Sequence, residues 1–257
     1  MNSPTLESIQ THWQSVWLAF KQQQLKQENP FAQPIHDALQ DGKCIRPILI
    51  YCLAADCHQP LASVDQIALA IECLHRYSLI HDDLPCMDND LLRRGKPTLH
   101  VVHDESTALM TGNVLFGQAI QQLLFTQLST DIQCQMVQLL LDHSLSEGMM
   151  QGQYWDLHPT SDVQIEQVNA LKTSCLFRLA LQLTRLTARA CPLTSTQLDY
   201  FGYHLGLAFQ YKDDQMDQDA KLKATNEQLD LTYQSAKQLP MCNRFIDFVF
   251  GAKHSLE

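Results

Sequence analysis

Val64-Asp65-Gln66-Ile67-Ala68-Leu69-Ala70-Ile71-Glu72-Cys73-Leu74-His75-Arg76-Tyr77-Ser78-Leu79-Ile80-His81-Asp82-Asp83-Leu84 is the longest continuous helical pattern of apolar residues in the chain, and Pro85 stops it. Ile67, Ile71, Leu74, Ser78 and His81 fall on one stripe, and Leu69, Ala70, Cys73, Tyr77 and Ile80 fill most of the remaining circumference. A helix that is apolar nearly all round belongs at the centre of a bundle. Proline in a helix interior removes a hydrogen bond and clashes with the preceding turn. Asp82 and Asp83 therefore end this helix, and Asp88 returns from the turn that follows.

The residues beyond Pro85 carry chemistry. Asp82, Asp83, Asp88 and Asp90 put four carboxylates within nine residues, and Arg93, Arg94 and Lys96 come directly after. Carboxylate oxygens are hard ligands that suit Mg²⁺, which commonly bridges a few protein carboxylates to substrate phosphates. Arginine forks match phosphate oxygens. Acids beside bases at one helix end point to a metal–diphosphate site, although a solvated acidic helix end with neutralising arginines has the same composition. Phe209-Gln210-Tyr211-Lys212-Asp213-Asp214-Gln215-Met216-Asp217 repeats the acidic theme after the apolar Leu205, Leu207 and Ala208. Asp213 and Asp217 stand i, i+4 on one helix face, where like charges repel unless a cation lies between them. Two acidic patches, each ending an apolar helical run, favour one shared metal cluster.

The rest of the chain reads as one helix after another. Ser3-Pro4 has the form of an N-cap and first helical residue, with Leu6, Ile9, Trp13, Val16, Trp17 and Phe20 at helical spacing behind it. Pro30 and Pro34 bound a connection to a short helix at Ile35–Leu39. In Asp41-Gly42-Lys43-Cys44-Ile45-Arg46-Pro47, Gly42 reads as a helix C-terminal turn and Pro47 as the first turn of the next helix. Lys43 and Arg46 then sit at a helix N-terminus, where cations oppose the helix dipole but would serve a bound anion. Further helices are predicted over Ile48–Cys57, Asp104–Leu128, Asp131–Met150, Val163–Ala190, Ser195–Asp219, Leu222–Leu239 and Arg244–Phe250. Gln151 to Leu157 reads as a polar helix end with two aromatics, closed by Pro159. Taken singly, His75 reads as a core histidine and Lys172 as a solvated helix lysine. No strand alternation or long repeat is present. The expected fold is all-α, a single domain over residues 1–257 with roughly ten helices.

Bulk properties narrow the function. A formal net charge of −10 argues against a nucleic-acid partner and against a polybasic membrane surface. No apolar run approaches the roughly 18 to 20 residues of a membrane span, and no secretory signal is visible. The nine cysteines are scattered, odd in number and without a Cys-x-x-Cys, which predicts reduced, mostly buried thiols in a cytoplasmic protein.

In their order and spacing these motifs resemble the trans-prenyltransferase (polyprenyl synthetase) family, closest to its bacterial farnesyl diphosphate synthase branch. The resemblance covers about Gln33 to Asp217, and Tyr77-Ser78-Leu79-Ile80-His81-Asp82-Asp83-Leu84-Pro85 matches almost word for word. It implies a helical bundle around a deep central active-site cavity, the isoprenoid synthase type, usually as a homodimer. It implies Mg²⁺, three ions per active site with substrate bound, and isopentenyl and allylic diphosphates as substrates. By position, Asp82 and Asp88, with Asp83 between them, correspond to the metal ligands of the first acidic motif. Asp213, Asp214 and Asp217 correspond to those of the second. Lys43, Arg46, His75 and Arg94 correspond to the isopentenyl diphosphate pocket. Arg93, Lys172, Thr173, Gln210 and Gln153 correspond to groups around the allylic substrate, with Asp156 completing the family's Gln-x-x-Asp. Tyr77 and Ser78, one turn before Asp82, correspond to the positions that limit chain length. The resemblance thus moves His75 and Lys172 to functional roles and implies head-to-tail condensation to farnesyl diphosphate, with geranyl and geranylgeranyl diphosphate synthases as neighbouring alternatives.

The departures are local. The family usually has Arg at the position of Cys44 and Asp at that of Asn113. Lys212, Gln215 and Met216 make the second motif unusually polar. After Asp217 a lysine-bearing glycine-rich loop is reduced to Lys221-Leu222-Lys223 and Leu231-Thr232-Tyr233, and the C-terminal helices are shorter. These changes keep open a catalytically weakened homologue acting as a binding or regulatory subunit. A class I terpene cyclase also has an Asp-rich first motif, but its second motif needs Ser or Thr and then Glu where Asp217 and Lys221 stand.

Overall fold

The computed structural model describes residues 4–159, 165–213 and 218–251, with the side chains of 213 and 218–225 left aside. Ser3, Val163, Asp214 and Asp217 lie outside the described residues, as do the side chains of Asp213, Lys221 and Lys223. The chain folds as an all-α bundle. The helices are α1 (Leu6–Leu25), α2 (Ala32–Ala38), α3 (Ile45–Asp56), α4 (Asp65–Asp82), α5 (Leu99–Val102), α6 (Glu105–Leu124), α7 (Thr130–Ser144), α8 (Met149–Leu157), α9 (Ile165–Asn169), α10 (Cys175–Thr187), α11 (Ser195–Asp213), α12 (Gln218–Ser235) and α13 (Pro240–Phe250). A two-stranded hairpin, β1 (Leu92–Arg93) and β2 (Lys96–Pro97), lies between α4 and α5.

The central helix is the one its sequence predicts. Ile67, Ala68, Ala70, Ile71, Cys73 and Leu74 of α4 are fully buried. They face α6 along its length and α3 and α10 on the other sides. α10 is the second buried helix: Phe177, Leu179, Ala180, Leu181 and Leu183 have no exposure, and it touches α3, α4, α7 and α11. Each fully buried leucine or phenylalanine of this kind contributes about 1.5 to 3 kcal/mol of transfer free energy. At the far end, Asp56 closes α3 and accepts from the Met241 and Cys242 amides at 2.9 and 3.0 Å, so one carboxylate caps α13 and ties it to α3.

Several boundaries differ from the sequence reading. Thr5, not Ser3, caps α1: its backbone is extended and its side chain accepts from the Ser8 amide at 3.1 Å. α2 starts at Ala32 and encloses Pro34, which fits because a first-turn residue has no intrahelical N–H bond to lose. Gly42 is not a helix C-terminal turn, since α2 has already ended and the left-handed residues of this loop are Asp41 and Cys44, with φ of 48° and 45°. The helix expected over Asp131–Met150 breaks at Leu145–Gly148, and α8 starts anew at Met149. A Cβ on Gly148 would collide with the His143 carbonyl, so only glycine lets the chain turn there. The helix expected over Val163–Ala190 contains a π-helical segment at Ala170–Ser174. Of the nine cysteines, Cys52, Cys57, Cys73, Cys175 and Cys242 are buried, and all nine are free thiols.

Candidate active site

The first acidic motif is shaped by the end of α4. Leu84 and Pro85 leave the helix, and the Asp88 amide then donates to the Asp82 carbonyl at 2.9 Å, which folds the chain back. Asn89 makes the reversal with φ of 55°, a conformation asparagine tolerates better than most residues. Asp82 and Asp88 thereby line the same cavity. Burial pushes Asp82 up to about 6, with Asp88 raising it further and Lys172 working against the rise. Asp83 faces the other way. Its carboxylate, 5% exposed, accepts from Arg93 Nε at 2.6 Å, and it lines the small recess behind the hairpin rather than the cavity of Asp82.

The hairpin sets the two arginines. Arg93 pairs with Lys96 across the ladder, and Arg94 and Gly95 form the connection with φ of 55° and 76°. Positive φ at both central residues is the type I′ geometry that suits the twist of a two-residue hairpin. The turn sends successive side chains to different partners. Arg93 bridges Asp83 and Asp90, while Arg94 Nη1 donates to the Asp41 carbonyl at 2.8 Å. Arg94 is held somewhat below its ordinary pKa by burial and by neighbouring Arg76.

From the opposite wall come Lys43, in the loop before α3, and Arg46, on its first turn, with the Arg46 guanidinium over the Phe177 ring at 4.8 Å. His75 on α4 is half-buried in the cavity wall, within electrostatic reach of Arg46, Arg76, Arg94 and Arg93. Burial first, then those cations, hold it well below its usual pKa, so it is neutral at neutral pH. Lys172 and Thr173 project from the π-helical segment, a feature that often marks functional sites. Lys172 Nζ donates to Asp156 at 2.6 Å, and Thr173 Oγ1 donates to Gln210 Oε1 at 2.6 Å. Burial works against the Lys172 charge, but Asp156 and Asp82 hold its pKa above the ordinary value.

These side chains surround one cavity of about 440 Å³, which Lys43, Arg46, His75, Ser78, Asp82, Asp88, Arg93, Arg94, Lys172, Thr173 and Gln210 all line. A second cavity of about 420 Å³ adjoins it, and Ser78, Asp82 and Lys172 belong to both. Its wall is mostly apolar: Tyr77, Met87, Met149, Met150, Tyr154 and Leu157 line it, with Gln153 and the His81 and His158 rings. Tyr77 is wedged between His81 and Phe116, with ring centroids 4.6 and 5.2 Å away. Neither amide atom of Gln153, 9% exposed, has a partner among the described residues. The sequence reading named Gln153 of α8 but missed the apolar wall beside it, although Met149, Met150, Tyr154 and Leu157 fall with Gln153 at one-turn spacing. It also missed Glu72 and Arg76.

Among the described residues no three His, Cys, Asp or Glu side chains converge into a ready metal cage. Asp82 and Asp88 nevertheless suit a hard divalent ion. They are two carboxylates at one cavity wall, one of them desolvated so that a nearby cation would favour its charged form, and Mg²⁺ usually takes only one or two protein carboxylates beside water and phosphate. α11 ends at Asp213, the first residue of the second motif.

α8 packs directly on the π-helical segment. A Cβ on Gly152 would lie 2.5 Å from the Lys172 amide nitrogen and 2.8 Å from Leu171 Cβ. Gly152→Ala is therefore expected to push that segment away and to lower activity about tenfold or more, by analogy with the steep cost of ångström-scale misplacement. Far-UV circular dichroism should change little; unchanged activity in a folded variant would show that Lys172 does not need this seat.

An all-α bundle whose charged cavity adjoins an apolar one offers one end to an anionic group and the other to a hydrocarbon. The polyprenyl synthetase family matches residues 28–237. A farnesyl diphosphate synthase of Micrococcus luteus is 37% identical over 206 residues, 75% of this chain and 69% of that protein. The crystal structure of a geranyltransferase from Legionella pneumophila superposes with a TM-score of 0.83 at 30% identity, covering 94% of this chain and 96% of the other. A geranyltransferase from Helicobacter pylori, solved with magnesium and isoprenyl diphosphate, superposes with a TM-score of 0.75 at 26% identity, covering 98% and 99%. The chain belongs to the polyprenyl synthetase family, and so to the prenyltransferases. The matched stretch spans 62% of the length of a farnesyl diphosphate synthase of Geobacillus stearothermophilus and 70% of one of Buchnera aphidicola.

Proposed function

We propose that this protein is a short-chain trans-prenyl diphosphate synthase that condenses isopentenyl diphosphate with dimethylallyl and then geranyl diphosphate to give farnesyl diphosphate. The observation that carries this reading is the pair of adjoining cavities, one lined by cations and the Asp82–Asp88 carboxylates, the other apolar, joined at Ser78, Asp82 and Lys172. Such a pair suits an allylic diphosphate with its head at Asp82 and its tail along α4 and α8. Lys43, Arg46, Arg94 and neutral His75 then form a second diphosphate seat, with His75 as a neutral donor that adds no charge to the arginines around it. Magnesium, held by Asp82, Asp88 and Asp213, would supply charge neutralisation of the departing diphosphate. Lys172 and Arg93 add fixed positive charge on the same side, in a site where desolvation strengthens it. The apolar wall excludes water from the allylic cation that departure of diphosphate creates. The double bond of isopentenyl diphosphate attacks that cation, and the new cation loses a proton. Among the described residues no side chain has the position of a dedicated base, and the released diphosphate is the acceptor this reading assigns.

The reading includes a single-domain, cytoplasmic, homodimeric enzyme. Nine free thiols and the exposed Leu109, Met110, Leu124 and Phe125 of α6 and its C-terminus support it, and no helix among the described residues is long and apolar enough to cross a membrane.

Product analysis tests the chain length. Wild-type protein given isopentenyl and geranyl diphosphates should stop at fifteen carbons. Tyr77 stands five residues before Asp82, about 7 Å down α4 from the metal end, where its ring takes up volume at the cavity wall. Tyr77→Ala should therefore yield longer chains by chromatography. If that variant still stops at fifteen, the limit lies with Leu74 or Leu115–Phe116. A twenty-carbon product from the wild type would overturn the farnesyl assignment.

A further inference from the structure

A buried guanidinium holds the loop that presents Lys43. Arg76, 4% exposed, follows His75 on α4. Its Nε donates to Glu72 Oε1 at 2.8 Å, and its Nη1 donates to the carbonyls of Gln40 at 2.8 Å and Ala38 at 3.3 Å. The guanidinium carbon lies 5.7 Å from the Trp17 ring centroid, and its other edge runs so close to Gly42 that no side chain would fit between them. Burying both charges of a pair is costly, and apolar residues of similar volume often hold helices together as well or better. What an arginine adds is direction, since its planar fork serves several acceptors at fixed angles. Here the acceptors are one carboxylate, the carbonyl of the last residue of α2 and a carbonyl of the loop that follows it.

The partner of Arg76 faces the cavity. Glu72, 1% exposed, lines it, and Glu72 Oε2 has no partner among the described residues. Cys44 Sγ lies 3.7 Å from Glu72 Oε1 and 4.0 Å from Arg76 Nη2. Arg76 itself lines the recess behind the hairpin and not the substrate cavity.

We propose that Arg76 is a positioning residue for the isopentenyl diphosphate seat, fixing the 39–44 loop through Glu72 and the Ala38 and Gln40 carbonyls so that Lys43 and Arg46 face the diphosphate. This rests on the function proposed above. Cys44 occupies the position where the family usually has arginine, and a guanidinium starting there would reach the same carboxylate. In this chain it comes from the helix instead of the loop.

Three variants test this: Arg76→Lys, which keeps the charge pair but has no planar fork; Glu72→Gln with Arg76→Met, which leaves no unpaired charge; and Cys44→Arg with Arg76→Met, which returns a guanidinium from the loop side. In the first two, amides of residues 40–44 should exchange hydrogen about tenfold faster or more, with α7 unchanged. The KM for isopentenyl diphosphate should rise by about tenfold or more, within the range of a lost charge-assisted hydrogen bond, and that for geranyl diphosphate should stay within about twofold. Cys44→Arg should restore both. Unchanged loop exchange in a folded variant overturns the proposal. So does an equal rise in both KM values, or no recovery with Cys44→Arg. Arg76→Lys keeps the buried pair and carries the test if the neutral variant does not fold. Wild-type protein that turns over neither substrate would refute the proposed function, and loop exchange would still decide the role of Arg76.

Discussion

Asp82→Ala is expected to cut turnover by about 10² to 10³ or more, the usual cost of removing a preorganised electrostatic partner from an active site. The fold should not suffer. Burial lifts the Asp82 carboxyl to about 6, so carrying its charge at neutral pH costs the metal-free protein stability, and alanine removes that cost. The thermal midpoint of the variant should equal or slightly exceed that of the wild type, while the stabilisation that added Mg²⁺ and diphosphate give the wild type should shrink. Asp213→Ala should lower turnover to a similar degree. Turnover within about threefold of wild type for either variant would exclude a metal cluster shared by the two motifs.

Arg94→Ala should weaken isopentenyl diphosphate binding by about 10- to 150-fold, the worth of a charge-assisted hydrogen bond, with a smaller effect on the allylic substrate. Arg93→Ala should reverse that preference. The hairpin explains why two adjacent arginines separate. At a type I′ turn Arg94 leans to the Asp41 carbonyl on the α3 side, and Arg93 returns along the strand to Asp83. The two variants should also differ in stability. Arg93→Ala leaves the Asp83 carboxylate buried without its cation, so its melting temperature should fall well below that of Arg94→Ala. KM measured for each substrate in turn, beside thermal melts, separates these outcomes. Equal effects of both variants on both substrates would remove the division of labour.

Much of the site is local and was legible for that reason. Apolar residues on every face of Val64–Leu84 can be satisfied only at the centre of a bundle. Pro85 must end that helix, and the acids beyond it then lie at its mouth. Two acidic motifs flanked by cations require a counter-ion or an anionic ligand wherever they meet. These inferences need only periodicity, proline geometry and charge, all properties of short segments. Residue types at matched positions also carried Lys43, Arg46, His75 and Lys172 into the set, though periodicity alone reads the last two as core and surface.

Distant contacts decided the rest. Nothing within Asp131–Met150 forbids a continuous helix except one glycine. The break at Leu145–Gly148 follows from where α8 must lie against the π-helical segment that carries Lys172. Asp83 reads like Asp82 in sequence, yet one residue further round the end of α4 turns it to Arg93 and away from the cavity. Arg76 reads as one more charge on a buried helix, and its partners at Ala38 and Gln40 are more than thirty positions away. The sequence by itself determined that the chain is helical, where its central helix ends and which chemistry its motifs carry, because those depend on neighbours along the chain. Only the tertiary structure decided which of two adjacent aspartates faces the main cavity and which arginine bonds the loop, because burial and hydrogen-bond partners there come from other parts of the chain.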